Sequence, residues 1–446
     1  MSKLPLDPSA SRICIIGAGA CGLMAARLFK EEGFTAQVFE ATSHIGGTWM
    51  YSSDPSATSA MYKSLRCNIP KEIMCYREEP FAENANSFVE HAQVLKYLQN
   101  FAEKHKLHDL IRLNTRVTAV TKQGEAWRIE CEPKLMTYAD AVVVCNGHYS
   151  VPNKWSAPGS DSFVRSGGVI SHSQHYKEPH EFTDKRVLVI GSGPSGMDIG
   201  YEISHFASHL YISHRQPTAL FKDEVRSYIT EVPQVERFVG GRDIQLVDNT
   251  IIRDIDYVLN CTGYKYGFPF LKPGEAGVSV SRNGHCVKGL IKHLVAKQDV
   301  TLAFPGLPWS VIPFPLFQDQ IAFLIALYRG KISMRRLRLL HERDRPPAVE
   351  DKYYHKFGAK QWEYRRELAS LAGREPVSTS EVEVAHDSSS ARRRDFTEFR
   401  EREYRLLGPG PGEWRVFVDG EDVTGCEDPD VSKAQATPSG EFSGRA

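Results

Sequence analysis

The chain has 446 residues, 41% of them hydrophobic and 25% charged, enough for two or three domains with cores of their own. Lys+Arg and Asp+Glu balance at 55 each, so no net field favours nucleic acid or an anionic membrane surface. Nine Cys without a C-x-x-C pair argue against a zinc ribbon, a disulfide framework or a dithiol centre.

The longest apolar run, Ile321 to Tyr328, falls far short of the ~20 residues of a membrane span. Met1 to Ser11 lacks a basic-then-apolar pattern. The expectation is a cytoplasmic, reduced protein with no membrane and no nucleic-acid partner.

In chain order, Arg12 to Ile16 is an apolar run ending in glycines and predicts a buried parallel strand. Gly22 to Glu32 predicts a helix and Ala36 to Glu40 a second strand, which makes a βαβ unit. Val94, Leu98 and Phe101 keep a helical period over Glu90 to His105. Val117 to Glu132 alternates like a hairpin about Gln123-Gly124-Glu125, and Ala141 to Cys145 is another apolar strand. The first pattern then restarts. Arg186 to Ile190 predicts a strand, Ser195 to Phe206 a helix and Leu210 to Ser213 a strand. Short alternating segments follow from Val235 to Leu259, then the turn Cys261-Thr262-Gly263-Tyr264, and Phe314 to Leu340 reads as helical.

Two βαβ units about 170 residues apart point to an α/β fold with two Rossmann-like dinucleotide-binding domains, the smaller second one inserted in the first. The expected division is 1–160 and 265–375 for the first domain and 161–264 for the second. Beyond residue 375 the chain turns to Ser, Glu and Arg, including Arg392-Arg393-Arg394. The composition predicts a polar, largely disordered tail over 376–446, with one short hairpin around Trp414 to Val423 and a solvated arginine cluster.

Gly17-Ala18-Gly19-Ala20-Cys21-Gly22 is G-x-G-x-x-G between strand and helix. Gly17 serves the tight turn, Gly19 the approach of a pyrophosphate, and Gly22 close helix–strand packing. Glu40, 18 residues beyond Gly22, stands where a carboxylate accepts the ribose hydroxyls of an unphosphorylated adenosine. Gly46-Gly47-Thr48-Trp49 follows, a loop expected to fold onto the same dinucleotide with Trp49 over its ring system. The second fingerprint is Gly191-Ser192-Gly193-Pro194-Ser195-Gly196, continued by Met197 and Asp198. Its second strand ends in Ser213-His214-Arg215, not in an acid, so it suits a 2′-phosphate. The first site therefore reads as FAD and the second as NADPH.

The stretch Gly168-Val169-Ile170-Ser171-His172-Ser173-Gln174-His175-Tyr176 resembles the F-x-G-x-x-x-H-x-x-x-F/Y motif of the flavin-containing monooxygenase family, with Ser166 in place of the first Phe. Tyr62 to Glu72 resembles the segment that brings a family Asn to the flavin. Thr262-Gly263-Tyr264 resembles the turn back to the FAD domain. Ile312 to Gln320 resembles a late flavin-domain helix start, with Gln318 replacing an acid and Gln320 matching the family glutamine. The resemblance spans about residues 12 to 365 and is closer to the shorter fungal and bacterial type.

The resemblance implies an NADPH- and O2-dependent monooxygenase that forms a C4a-hydroperoxyflavin and oxygenates a soft N or S atom of a small molecule. It names Asn68 as the catalytic residue, adds Cys67, Ile69, Val117 and Gln320 on the FAD side and Thr262 on the NADP side, and needs no metal. His172 reads as structural. A homodimer stays open. The alternatives are a Baeyer–Villiger monooxygenase acting on ketones, weakened by Tyr176-Lys177 where that type carries Trp, and a flavin-bound protein without turnover.

Overall fold

The computed structural model describes residues 4–54, 59–215, 228–344 and 349–425. Strand β1 (Arg12–Ile16), helix α1 (Ala20–Glu31) and strand β2 (Thr35–Phe39) form the first βαβ unit. Strand β3 (Ala141–Val144) pairs in parallel on the other side of β1. The full sheet has seven strands, in the order Leu290–Ile291, Val295–Ala296, Leu302–Ala303, β3, β1, β2, Ile111–Arg112. Its middle strands are buried on both faces, which is why they read as unbroken apolar runs rather than alternating ones.

Between β3 and Leu290 the chain builds a second sheet. Strands β4 (Val169–His172), β5 (Arg186–Ile190), β6 (His209–Ser213) and β7 (Tyr257–Asn260) join Ile229–Val232 in the order Ile229–Val232, β6, β5, β7, β4, all parallel. Helix α2 (Pro194–Ser204) joins β5 to β6. The second Rossmann-like sheet is thus an insertion in the first.

The expected hairpin forms from Arg116–Gln123 and Ala126–Glu132, and Leu135–Ala139 adds a third strand to it. The helix expected at Glu90 to His105 runs His91–Lys104, started by a capping box between Glu90 and Gln93. The helical stretch expected from Phe314 to Leu340 divides at Gly330 into α3 (Pro313–Tyr328) and Met334–Arg343. Almost every residue of α3 is buried, because it lies between α1 and α4 (Lys360–Ala372).

The expectation of a largely disordered tail does not hold over the described part of 376–446. Ser378 and Glu381 form a capping box that starts α5 (Thr379–Arg394). A three-stranded sheet follows, Glu403–Leu406, Trp414–Val418 and Glu421–Asp422, which contains the expected hairpin. The arginine run is only partly solvated: Arg392 is half-buried against Phe396 and Phe399. Residues 426–446 lie outside the described residues. Val377, Val384, Ala391, Phe396, Phe399, Tyr404 and Val416 share one core with the second sheet and with Tyr62, Ile73 and Phe88 of the first domain. Burial of this apolar set orders a segment whose composition alone is polar.

Candidate functional site

Strands β1 and β5 each have their chain leaving in opposite directions on the two sides. These are the switch points at which open α/β sheets present a crevice at the strand C-terminal ends. At the first crevice Gly17 has φ +101°, and a Cβ there would lie 2.6 Å from the carbonyl oxygen of Cys145. A Cβ on Gly22 would lie 1.8 Å from the oxygen of Gly17. Gly19 differs. Its φ is −78°, and the nearest atom to a Cβ would be the Cα of Gly47 at 3.5 Å. The polypeptide leaves room for a methyl at Gly19, so glycine there serves a group that approaches the loop from outside.

No side chain caps α1, so its first N–H groups face that group. The Gly46-Gly47 turn closes over the loop, with Gly46 N donating to Ala18 O at 3.0 Å. Glu40 is buried. Its carboxylate accepts from Ala18 N at 2.8 Å and from the N and Oγ1 of Thr42 at 2.9 and 2.8 Å, which fixes it beside the loop with acceptor capacity left for ribose hydroxyls. These residues fit the diphosphate and ribose of FAD.

Ala20 and Cys21 are buried, and the Thr48 carbonyl accepts from Ser59 Oγ at 3.3 Å. Trp49 stands edge-on to Phe314 at 6.3 Å, packed on the first core. Val117 sits at a bulge of its hairpin with its side chain in a core. Gln320, expected on the FAD side, has its amide engaged within the protein. The side chain is fully buried, Oε1 accepts from Gly306 N at 2.8 Å and Nε2 donates to Tyr364 OH at 3.0 Å. It holds the Gly306 turn. Its neighbour Asp319 lies between Arg365 at 2.8 Å and Arg77 at 2.6 Å, and burial still holds its carboxyl above the usual range.

The second crevice repeats the first. Gly191 has φ +104°, a Cβ on Gly196 would lie 1.8 Å from Gly191 O, and a Cβ on Gly193 would meet nothing within 4 Å. No side chain caps α2. At the end of β6, Ser213 Oγ donates to Pro233 O at 2.9 Å, and Arg215 is exposed. His214 and Arg215 line a cleft of ≈ 350 Å³ with Glu231, Val232, Pro233, Gln234 and Val247. Among the described residues neither ring nitrogen of the buried His214 has a hydrogen-bond partner, although Glu231 Oε2 comes within 3.4 Å of Nε2. The open loop and the cation beyond β6 fit NADPH. Ser192 and Ser195 lie at the loop, whereas Met197 points into the core. The carboxylate of Asp198, expected on the NADP side, is likewise engaged within the protein. Both of its oxygens accept from Arg400 Nη2 at 2.9 Å.

Between the crevices runs the segment that carries Asn68. Ile69 packs on both the first and second cores, so Asn68 stands at their junction. Asn68 is half-buried, and its amide has no hydrogen-bond partner among the described residues. The segment is held along its length. Lys177 Nζ donates to Ser59 O and Met61 O at 2.9 and 3.2 Å, Ser64 Oγ donates to Glu202 at 2.7 Å, and Cys67 N donates to Val89 O at 2.8 Å. Burial lowers the Lys177 ammonium from its ordinary value and pushes the Cys67 thiol up to about 12.

The linker motif is structural. His172 Nδ1 accepts from Gln174 N at 3.1 Å, so Nε2 carries the proton that goes to Gly263 O at 3.0 Å. Burial depresses that ring's basicity, in keeping with a neutral tether rather than a proton carrier. Thr262 Oγ1 donates to Asn153 O at 2.6 Å and ties the same turn to the first domain. The lost Phe at Ser166 coincides with Phe163 lying against Gly168, whose Cβ would meet the ring at 2.3 Å. Sequence reasoning missed Lys177, Glu202 and Arg400 as holders of the Asn68 segment, since none belongs to a local motif there.

Residues 10–239 match the family model described as flavin-binding monooxygenase-like. The Arabidopsis thaliana protein named flavin-containing monooxygenase FMO GS-OX-like 4 is 34% identical over 400 residues, covering 81% of this chain and 87% of the relative. The solved structure of S-allyl-L-cysteine S-oxygenase from Allium sativum is 30% identical, with a TM-score of 0.78 and coverage of 88% of this chain and 95% of that one. Tmm from Pelagibacter, 24% identical with a TM-score of 0.77 over 91% of this chain and 96% of that one, shares the fold. The two relatives of higher identity are plant-type, where the sequence reading leans to the fungal and bacterial type. No helix among the described residues is long and apolar enough to cross a membrane. The chain belongs to the flavin-containing monooxygenase family and is an FAD- and NADPH-dependent enzyme that transfers one oxygen atom of O2 to a heteroatom of a small molecule.

Proposed function

We propose that the enzyme oxygenates the sulfur of a small thioether in the cytoplasm, with NADPH selected by Arg215 and the oxygen-transfer step guarded by Asn68. The observation that carries the sulfur assignment is the 30% identity to an S-oxygenase across nearly the full length of both chains. Bound FAD supplies the redox and oxygen chemistry, and the polypeptide binds, orients and excludes water. Glu40 and the Gly17–Gly22 loop would hold the flavin nucleotide, and the Gly191–Gly196 loop the nicotinamide nucleotide. Asn68, at the junction of the two cores, offers a neutral amide that donates to one partner and accepts from another. All eight described cysteines are free, which suits a reducing compartment.

Product analysis with a thioether, a tertiary amine and a cyclic ketone tests the sulfur assignment. The expected result is sulfoxide as the main product. Ester from the ketone as the main product would replace it with the Baeyer–Villiger reading.

Arg215→Ala tests nucleotide choice. A charged hydrogen bond to the 2′-phosphate is worth about 1.5–3 kcal/mol, so KM for NADPH should rise about tenfold or more. The KM for NADH, which has no phosphate there, should hardly move. Equal use of both nucleotides by the unaltered enzyme would remove Arg215 from this role.

A further inference from the structure

We propose that Arg400, on the C-terminal segment, is the positioning residue that fixes Asn68 relative to the NADPH domain. This rests on the reading of Asn68 as the residue that guards oxygen transfer. Arg400 Nε donates to Cys67 O at 3.1 Å, while its Nη2 donates to both oxygens of Asp198 at 2.9 Å. One guanidinium therefore bridges the backbone just before Asn68 to the second turn of α2, the helix that opens on the NADPH glycine loop.

The carbonyl it holds belongs to the Cys67–Asn68 peptide. That unit is planar, so fixing its oxygen fixes the direction in which the Asn68 Cα leaves. Cys67 N, bonded to Val89 O at 2.8 Å, holds the peptide on the other side of the residue.

The Arg400 guanidinium is itself held. It stacks over the Phe399 ring at 4.5 Å, and the Arg400 and Asp198 side chains are only 15% and 13% exposed. At that burial the pair is screened far less than a surface ion pair. Arg66 returns the contact. Its Nη2 donates to Arg400 O at 3.0 Å and its Nη1 to Glu401 at 2.9 Å. Four residues along α2 from Asp198, Glu202 accepts from Ser64 at 2.7 Å and from Tyr176 OH at 2.7 Å. The 62–68 segment thus meets α2 at two successive turns, and one of these contacts exists only because the C-terminal segment supplies Arg400. A segment whose composition reads as an appendage completes the holder of the catalytic region.

The test uses the FAD-loaded full chain and reads two quantities. One is the rate of flavin reduction by NADPH. The other is the share of NADPH oxidised with O2 that ends as H2O2 instead of oxygenated thioether. Arg400→Gln should raise the peroxide share about threefold or more while flavin reduction stays within about twofold. Asp198→Asn should do the same, and the double variant should be no worse than either single one, since both remove one bridge.

Arg402→Gln is the control. Arg402 lies in the same segment and bonds Asp387 and Tyr404, with no hydrogen bond to residues 62–68. It should lower stability while leaving the peroxide share at the wild-type level. If Arg400→Gln does not fold, Arg400→Lys keeps a cation beside Asp198 but cannot span both partners, and the same rise in peroxide is expected.

Wild-type coupling in the Arg400 variants, with Asn68→Ala uncoupled, would overturn the proposal and leave the Asn68 reading intact. Equal uncoupling by Arg402→Gln would overturn it too, by reducing the segment to a general support. Wild-type coupling in Asn68→Ala would instead show that the reading of Asn68 itself is wrong.

Discussion

Gly19→Ala will fold and purify colourless, whereas Gly22→Ala will fail at the level of folding. The two glycines belong to one fingerprint but answer to different neighbours. At Gly19 the backbone is one that alanine adopts freely, and a Cβ would sit 3.5 Å from Gly47 Cα, an ordinary contact. Gly19 stands at the uncapped N-terminus of α1, where a bound pyrophosphate would come close, so the added methyl would meet the cofactor rather than the protein. At Gly22 a Cβ would lie 1.8 Å from the oxygen of Gly17, so α1 must move off β1 before alanine fits. Overpacking of this kind costs about 1–3 kcal/mol or more, and here the obstacle is backbone that cannot rotate away. Visible absorbance after purification and a thermal melt separate the two outcomes. A Gly19→Ala protein with full FAD would show that the loop does not hold the flavin.

The same pair of changes transfers to the second site. Gly196 repeats the overlap at 1.8 Å and Gly193 repeats the open space, so Gly193→Ala should keep FAD and weaken NADPH.

Asn68→Ala should leave flavin reduction moderately affected and oxygen transfer badly uncoupled. A residue that acts only at the oxygen stage would spare the reduction of bound flavin by NADPH. The amide has no partner among the described residues, so both of its hydrogen-bonding ends are available to bound groups. Loss of one such bond costs about 1–3 kcal/mol, which is about five- to a hundredfold in a rate. NADPH consumption should continue while H2O2 replaces oxygenated product. Stopped-flow absorbance follows reduction, and a peroxide assay follows the leak. Tight coupling in the variant would leave Asn68 as no more than a turn residue before Pro70.

Both nucleotide folds were legible in the order of residues alone. Each glycine loop lies between an apolar run and a helix, and the acid at Glu40 against the base at Arg215 distinguishes the two ends. These are local signals, because a tight turn, a helix start and a strand end each depend on residues a few positions apart.

Contacts between distant stretches of chain set the rest. The Gln320 amide is taken by Gly306 and Tyr364, and the Asp198 carboxylate by Arg400, partners that no local pattern names. The helix Thr379–Arg394 was hidden because its buried positions are Ser380, Val384, Ser388 and Ala391, two of them serines, which blur the apolar period. Its order comes from a core shared with the second sheet and the first domain. The bonds that set the Asn68 segment join residues 202 and 333 positions apart. No period or spacing encodes such contacts, since they exist only once burial of a common core has brought three distant stretches of chain together.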